Sequence, residues 1–160
     1  MVLVYSELYN IWAVALRYFN IFGVNQRFDY YGNVIPIFVD NIINNKQISI
    51  YGDCEQTRDF LNVIDVVRAN YLVDTNNKIK GAYNVGSDNS ISINHLVKLL
   101  KMIFDNEISF VYQKPRIVDV LHCKANITIA FLDFRFTSEI DLYQSLKEYV
   151  QWYIFDKQNL

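Results

Sequence analysis

Apolar and polar positions along the chain fall into blocks whose period switches repeatedly between strand and helix values. Residues 11–19 are nearly continuously apolar and rich in β-formers, which predicts a strand covered on both faces, as in a parallel sheet. Residues 20–33 read as loop. Over 35–45, Ile35, Phe38, Val39, Ile42 and Ile43 form a helical stripe, with Pro36 in the first turn, where a missing N–H is tolerated. Ile48–Tyr51 reads as a short strand ended by Gly52 and Asp53. Asp65 is placed to cap a helix whose inner face is Val66, Ala69, Asn70 and Val73 and which the polar residues 74–80 close. A strand over 82–85 stops at Gly86, and Ser92 starts a helix over 93–104 with Leu96, Leu99, Leu100 and Ile103 inward. Residues 108–112 predict another strand, 114–123 an irregular segment, 127–132 a short helix and 138–155 a long closing helix. Strands alternate with helices, so the fold class is α/β, and no repeat, low-complexity segment or linker divides residues 1–160.

Composition sharpens this in a few places. At 160 residues and 52% hydrophobic, the chain is long enough for one unit that buries about 70% of its unfolded surface. Its 15 basic and 17 acidic residues are interspersed, which disfavours nucleic acid and anionic membrane as partners. Ser6, Glu7, Asn10 and Arg17 break the N-terminal apolar runs well short of the ~20 residues that a membrane span requires, and there is no basic leader region. Cys54 and Cys123 stand far apart with no metal-ligand spacing, which points to free thiols, a reducing compartment, the cytoplasm and no metal site.

Candidate chemistry gathers around residues 48–67. Arg58 follows a tight turn and precedes Asp59-Phe60, so its guanidinium, a planar fork of donors, is placed to meet phosphate oxygens. A surface ion pair with Asp59 or Glu55 is the competing use. Asn20 sits where a parallel strand gives way to a loop, the end of an α/β sheet at which ligands bind, although a turn-forming asparagine reads the same way. Tyr51 is either a ring for stacking or an ordinary strand tyrosine. Arg116 and Asp119 are either a ligand-binding pair or a solvated ion pair. His95 falls at the third position after Ser92 and suits a local capping role, and neither it nor His122 has a catalytic partner at useful spacing.

The segments LRYFN, IPIFVDNII, ISIYGDCEQTRDF, DVVRAN, AYNVG, SISINHLVKLL, RIVDVLH and EYVQWY together resemble the C-terminal half of the NAD-dependent nucleotide-sugar epimerase/dehydratase family, an extended branch of the short-chain dehydrogenases. The likeness is greatest to UDP-sugar 4-epimerases. It implies a partial Rossmann sheet edge plus a small mixed substrate-binding subdomain. It further implies that Asn20, Val34, Ile50, Tyr51, Arg58, Arg116 and Asp119 bind a nucleotide-sugar, with Arg58 and Arg116 on the diphosphate and Tyr51 against the base, and that Phe19 lies by the nicotinamide of NAD. Several loop residues depart from the family pattern. Val24-Asn25 stands for Pro-Arg, Cys54 for a turn glycine, Val118 for the glycine of RPGD, Asn126 for an aspartate and Asp133 for a glycine.

Family catalysis uses a GxxGxxG turn that holds the NAD pyrophosphate on a helix N-terminus and a Tyr-xxx-Lys pair that takes the sugar hydroxyl proton. The chain reads as having neither, since Tyr5 is followed four residues later by Tyr9. Ser6-Glu7-Leu8-Tyr9 resembles the helix that follows that pair. The expectation is therefore a truncated or split UDP-sugar 4-epimerase-like protein without catalytic residues, inactive alone. The alternatives are a nucleotide-sugar-binding module, a subunit that complements a separate NAD-binding chain or forms a homo-oligomer, and a 4,6-dehydratase fragment.

Overall fold

The computed structural model describes residues 1–26, 33–76, 78–116 and 119–158. In chain order the elements are α1 (Val2–Tyr9), β1 (Val14–Tyr18), β2 (Ile21–Phe22), α2 (Val34–Ile43), β3 (Ile48–Tyr51), β4 (Thr57–Arg58) and β5 (Leu61–Asn62). They continue with α3 (Val63–Asp74), β6 (Gly81–Val85), β7 (Ile91–Ser92), α4 (Ile93–Phe104), β8 (Phe110–Gln113), α5 (Thr128–Phe134) and α6 (Leu142–Gln158). Three strand pairs are parallel: β1 with β6, Val14 opposite Gly81; β2 with β5; and β3 with β8, Ile48 opposite Phe110. The short pair β4 with β7 is antiparallel. Parallel pairs need long crossovers, and helices supply them, so the α/β class follows from the connections.

Two apolar clusters hold these layers. One gathers Ile35, Phe38 and Val39 of α2, Ile48 and Ile50 of β3, Leu96 and Leu100 of α4, and Leu146, Tyr149 and Tyr153 of α6. The other packs Leu61, Ala69, Val73, Tyr83 and Val85 against Ala125, Ala130, Phe134 and Phe136. Gly86 backs onto the second cluster, where an added Cβ would collide with the Ala125 side chain.

The helix starts differ from expectation in an instructive way. Asn62, not Asp65, caps α3, its side chain accepting the Ile64 N–H at 2.8 Å. Asp65 lies within the first turn and fully buried, where its carboxylate accepts from Arg68, from the Ser138 hydroxyl and from the N–H groups of Glu139 and Ile140. This tie consumes residues 138–140 as loop, so α6 begins at Leu142 after Asp141, whose carboxylate accepts the Gln144 N–H. Asn70 is exposed rather than inward, its amide donating back to the Val66 carbonyl. Ser92 caps α4 as expected, accepting the His95 N–H.

The β1 strand also departs from a strand covered on both faces. Arg17 and Tyr18 are exposed, residues 11–13 lie before the strand, and β6 is its one strand partner among the described residues. The preceding α1 buries none of its residues, leaving Val2, Val4, Tyr5, Leu8 and Tyr9 exposed beside Ile11 and Trp12.

An ionic tie between buried Asp40 and the exposed Lys157 joins α2 to α6. The Tyr153 hydroxyl donates to Asp40 Oδ1 at 2.8 Å, and Lys157 Nζ lies 3.2 Å from the same oxygen. Burial pushes the Asp40 carboxyl up, but the hydrogen bonds from Tyr153 and Lys157 outweigh it and hold the group below its ordinary value of 3.8. A depressed folded-state pKa supplies stability that is present above 3.8 and is lost as the pH falls through the lower folded value. Asp40→Asn, which keeps an acceptor for Tyr153 but removes the charge, is expected to cost about 1–2 kcal/mol at neutral pH. Urea titrations at pH 7 and pH 3 check this, because the gap between wild type and variant should narrow at the lower pH.

Candidate functional site

The carboxyl ends of β1, β3 and β8 open onto one cleft of about 750 Å³. Asn20, Val34, Ile50, Tyr51, Arg58, Arg116 and Asp119 all line it, brought there from segments up to a hundred residues apart. Its apolar wall comes from Ile37 and Phe38 of α2 and Ile93 of α4. Phe19 does not reach the cleft. Its N–H donates to the Val85 carbonyl, and its ring packs against the cluster around Leu61 and Val85.

Arg58 is aimed by its backbone neighbours. Its Nη1 donates to the Thr57 carbonyl at 2.9 Å and the Val120 carbonyl at 2.7 Å, and it forms no ion pair among the described residues. The carboxylates that might have claimed it are occupied. Asp59 is fully buried and accepts from the Ser87 N–H and hydroxyl at 2.7 Å and from the Ala125 N–H at 2.9 Å. Glu55 accepts from the Asn94 amide at 2.6 Å. A guanidinium held by carbonyls keeps its full charge for a ligand. Asn20, which lines the cleft, is fixed by its Nδ2 donating to the Asp59 carbonyl at 3.1 Å, and its amide oxygen has no protein partner among the described residues.

The Arg116 guanidinium lies 3.7 Å from the centre of the Tyr51 ring. A hydrogen bond with Tyr51 and the nearby charge of Asp119 keep it firmly protonated. One face of Tyr51 is therefore covered by the Arg116 guanidinium. Beyond this stack a second lobe of about 360 Å³ continues over Gly52, Asp53 and Pro115.

The turn that delivers Arg58 keeps a left-handed residue where the family has glycine. Cys54 has φ 68° and is fully buried. Its thiol is pushed up by burial, against a hydrogen bond with Tyr112 that lowers it. A left-handed non-glycine residue costs roughly 1–2 kcal/mol, and burial of the thiol offsets part of that. Two other departures have local partners. Asp133 accepts the Tyr83 hydroxyl at 2.8 Å, which together with burial pushes that phenol up to about 12. Asn126 accepts the Thr128 N–H at 3.0 Å. Val118 lies outside the described residues.

The Tyr-xxx-Lys spacing does occur, contrary to expectation, and twice: Tyr143 with Lys147 and Tyr153 with Lys157, both in α6. Neither pair lines the cleft. Burial and the Asp40 carboxylate push the Tyr153 phenol up, the opposite of what a proton-abstracting tyrosine requires. His95 is exposed, and His122 Nδ1 lies 3.3 Å from the Thr57 hydroxyl outside the cleft. Among the described residues no group of three His, Cys, Asp or Glu side chains is placed to hold a metal ion, and no helix is long and apolar enough to cross a membrane.

Asn33, Asn41, Ser49 and Gln56 also line the cleft and were not singled out from the sequence. For Asn41 a signal existed, since positions 34, 37, 38 and 41 follow one face of a helix.

Residues 1–86 match the model of the NAD dependent epimerase/dehydratase family. A curated relative, a putative UDP-glucose 4-epimerase of Methanocaldococcus jannaschii, is 35% identical over 153 residues, covering 92% of this chain and 48% of its own. Among solved structures, the UDP-N-acetylglucosamine 4-epimerase from Methanobrevibacter ruminantium M1, in complex with UDP-N-acetylmuramic acid, superposes with a TM-score of 0.89 at 34% identity, over 96% of this chain and 49% of that one. MoeE5, in complex with UDP-glucuronic acid and NAD, gives 0.81 at 28% identity, over 93% of this chain and 48% of that one. The chain thus spans about half the length of the relatives it matches.

Proposed function

The chain belongs to the NAD dependent epimerase/dehydratase family, and on that premise we propose that residues 1–160 form one unit that grips a nucleotide-sugar, with a UDP-sugar as ligand, as in a 4-epimerase. The observation that carries this is two guanidiniums, Arg58 at the end of β4 and Arg116 just after the parallel strand β8, lining one cleft without an ion-pair partner among the described residues. A diphosphate is the ligand group that two such forks suit best. Val34 and Ile50 supply apolar wall, Asn20 an amide for phosphate or sugar, and Asp119 a carboxylate that accepts from sugar hydroxyls.

NAD fits the described residues poorly. The sequence has no GxxGxxG turn, the α3 and α4 N-termini are capped by Asn62 and Ser92, and Phe19 packs into an apolar cluster. The hydride chemistry of the family would therefore need groups outside these 160 residues, and the chain alone acts as a binding half, not as an enzyme.

Calorimetric titration with UDP tests the reading. Charge-assisted contacts are worth roughly 1.5–3 kcal/mol each, so Arg58→Ala and Arg116→Ala should each weaken UDP binding on the order of tenfold or more. Binding that is unchanged in both variants would reject the assignment.

A further inference from the structure

The residue next to Arg58 has more attachments than its own strand needs. Asp59 is fully buried and forms no ion pair among the described residues, yet three donors converge on its carboxylate. Oδ1 accepts the Ser87 N–H and the Ser87 hydroxyl, both at 2.7 Å, and Oδ2 accepts the Ala125 N–H at 2.9 Å. Its main-chain carbonyl accepts the Asn20 amide at 3.1 Å. One residue thus ties together the end of β1, the loop after β6 and the segment that follows Asp119. Gly86 leaves room for the junction, since an added Cβ would lie 3.0 Å from Asp59 Oδ2. A buried carboxylate with no cation beside it carries a desolvation cost that an apolar joint would avoid, so its placement calls for a use.

The segment that Oδ2 holds is the one that reaches the cleft. Residues 119–125 run alongside β4, where the Thr57 N–H donates to the Leu121 carbonyl at 2.8 Å, the Cys123 N–H to the Thr57 carbonyl at 3.2 Å and Arg58 Nη1 to the Val120 carbonyl at 2.7 Å. The bond from Ala125 to Asp59 is the last fastening of this strap, and Asp119, which lines the cleft, stands at its other end. We propose that Asp59 is a positioning residue for the diphosphate grip: its carboxylate pins residues 119–125 against β4, and the pinned segment aims Arg58 through Val120 and keeps it in register with Asp119. This rests on the nucleotide reading above and deepens it. Asp59 does not line the cleft and acts only through Arg58 and the strap. The sign of its effect separates positioning from charge. By Coulomb's law alone, an anion beside Arg58 opposes a bound diphosphate, so removing it would tighten binding. Positioning predicts the reverse, because a charge-assisted contact that loses its distance and angle loses most of its strength.

The experiment combines calorimetric titrations of the full chain, with UDP and with inorganic pyrophosphate, and thermal melts of each variant. Asp59→Asn keeps the shape of the side chain but sets an NH2 group where an acceptor stood, and it is expected to weaken both ligands about tenfold. In an Arg58→Ala background the same substitution should change UDP affinity by less than about twofold, because the group it positions is gone. Ser87→Ala removes one donor, keeps the carboxylate, and should weaken UDP about threefold. A folded Asp59→Asn chain that melts at a lower temperature yet binds UDP as tightly as wild type, or more tightly, would make Asp59 a structural joint and overturn the proposal. An undiminished effect of Asp59→Asn in the Arg58→Ala background overturns it as well. Where Asp59→Asn does not fold, Ser87→Ala decides, and unchanged UDP affinity there is the contrary result. Failure of the underlying reading looks different, because the wild-type chain would then bind neither UDP nor pyrophosphate, or would bind UDP with no dependence on Arg58, and the proposal falls with it.

Discussion

Incubated with UDP-glucose or UDP-N-acetylglucosamine and NAD, the 160-residue chain alone is expected to form no epimerised or dehydrated product above a no-protein control. Enzymes of this size of effect accelerate reactions by 10⁶-fold or more, and that acceleration depends on a base matched to its task and a bound hydride acceptor. The described residues of the cleft offer no side chain matched to either task. Among the described residues, the tyrosines whose ionisation the fold shifts, Tyr83, Tyr112, Tyr149 and Tyr153, are all shifted upward, the wrong direction for a base. The two Tyr-xxx-Lys pairs lie in α6, away from the cleft, with Tyr153 committed to Asp40. Turnover in a preparation free of host epimerase would show that a group outside this account does the chemistry.

The second large effect concerns association. Strand β1 has a partner along one edge, β6, and α1 presents Val2, Val4, Tyr5, Leu8 and Tyr9 to solvent next to Ile11 and Trp12. An open strand edge beside an apolar surface templates pairing with another chain, and no charged side chain interrupts it between Glu7 and Arg17. The isolated chain should therefore run as a dimer or larger species by size-exclusion chromatography with light scattering. Tyr5→Lys combined with Leu8→Lys should shift it toward monomer without altering the cleft, which neither residue lines. A monodisperse wild-type monomer at tens of micromolar would contradict this.

Much of the fold was legible because its signals are local. Ser92 and the apolar stripe after it fix α4, and Ile48–Tyr51 was bounded by its own glycine turn. Asp65 was misread because a capping residue and a buried tertiary acceptor look alike in sequence; its partners Ser138 and Glu139 are some seventy residues away. The late start of α6 has the same cause. In the cleft, Arg58 was found from its turn and Arg116 from the family segment around it, whereas their convergence depends on β3 pairing with β8. Asn41 escaped notice because a lone polar residue in a helix is ordinarily solvated. The stacking of Arg116 on Tyr51 had no signal in the sequence at all.

A crystal structure of the chain with UDP shows whether a nucleoside diphosphate is gripped between Arg58 and Arg116. Diphosphate oxygens are expected within hydrogen-bonding distance of both guanidiniums, with the base against Ile50 and the cleft-lining face of α2. UDP bound elsewhere on the surface, or in the cleft with its phosphates away from both arginines, would contradict it.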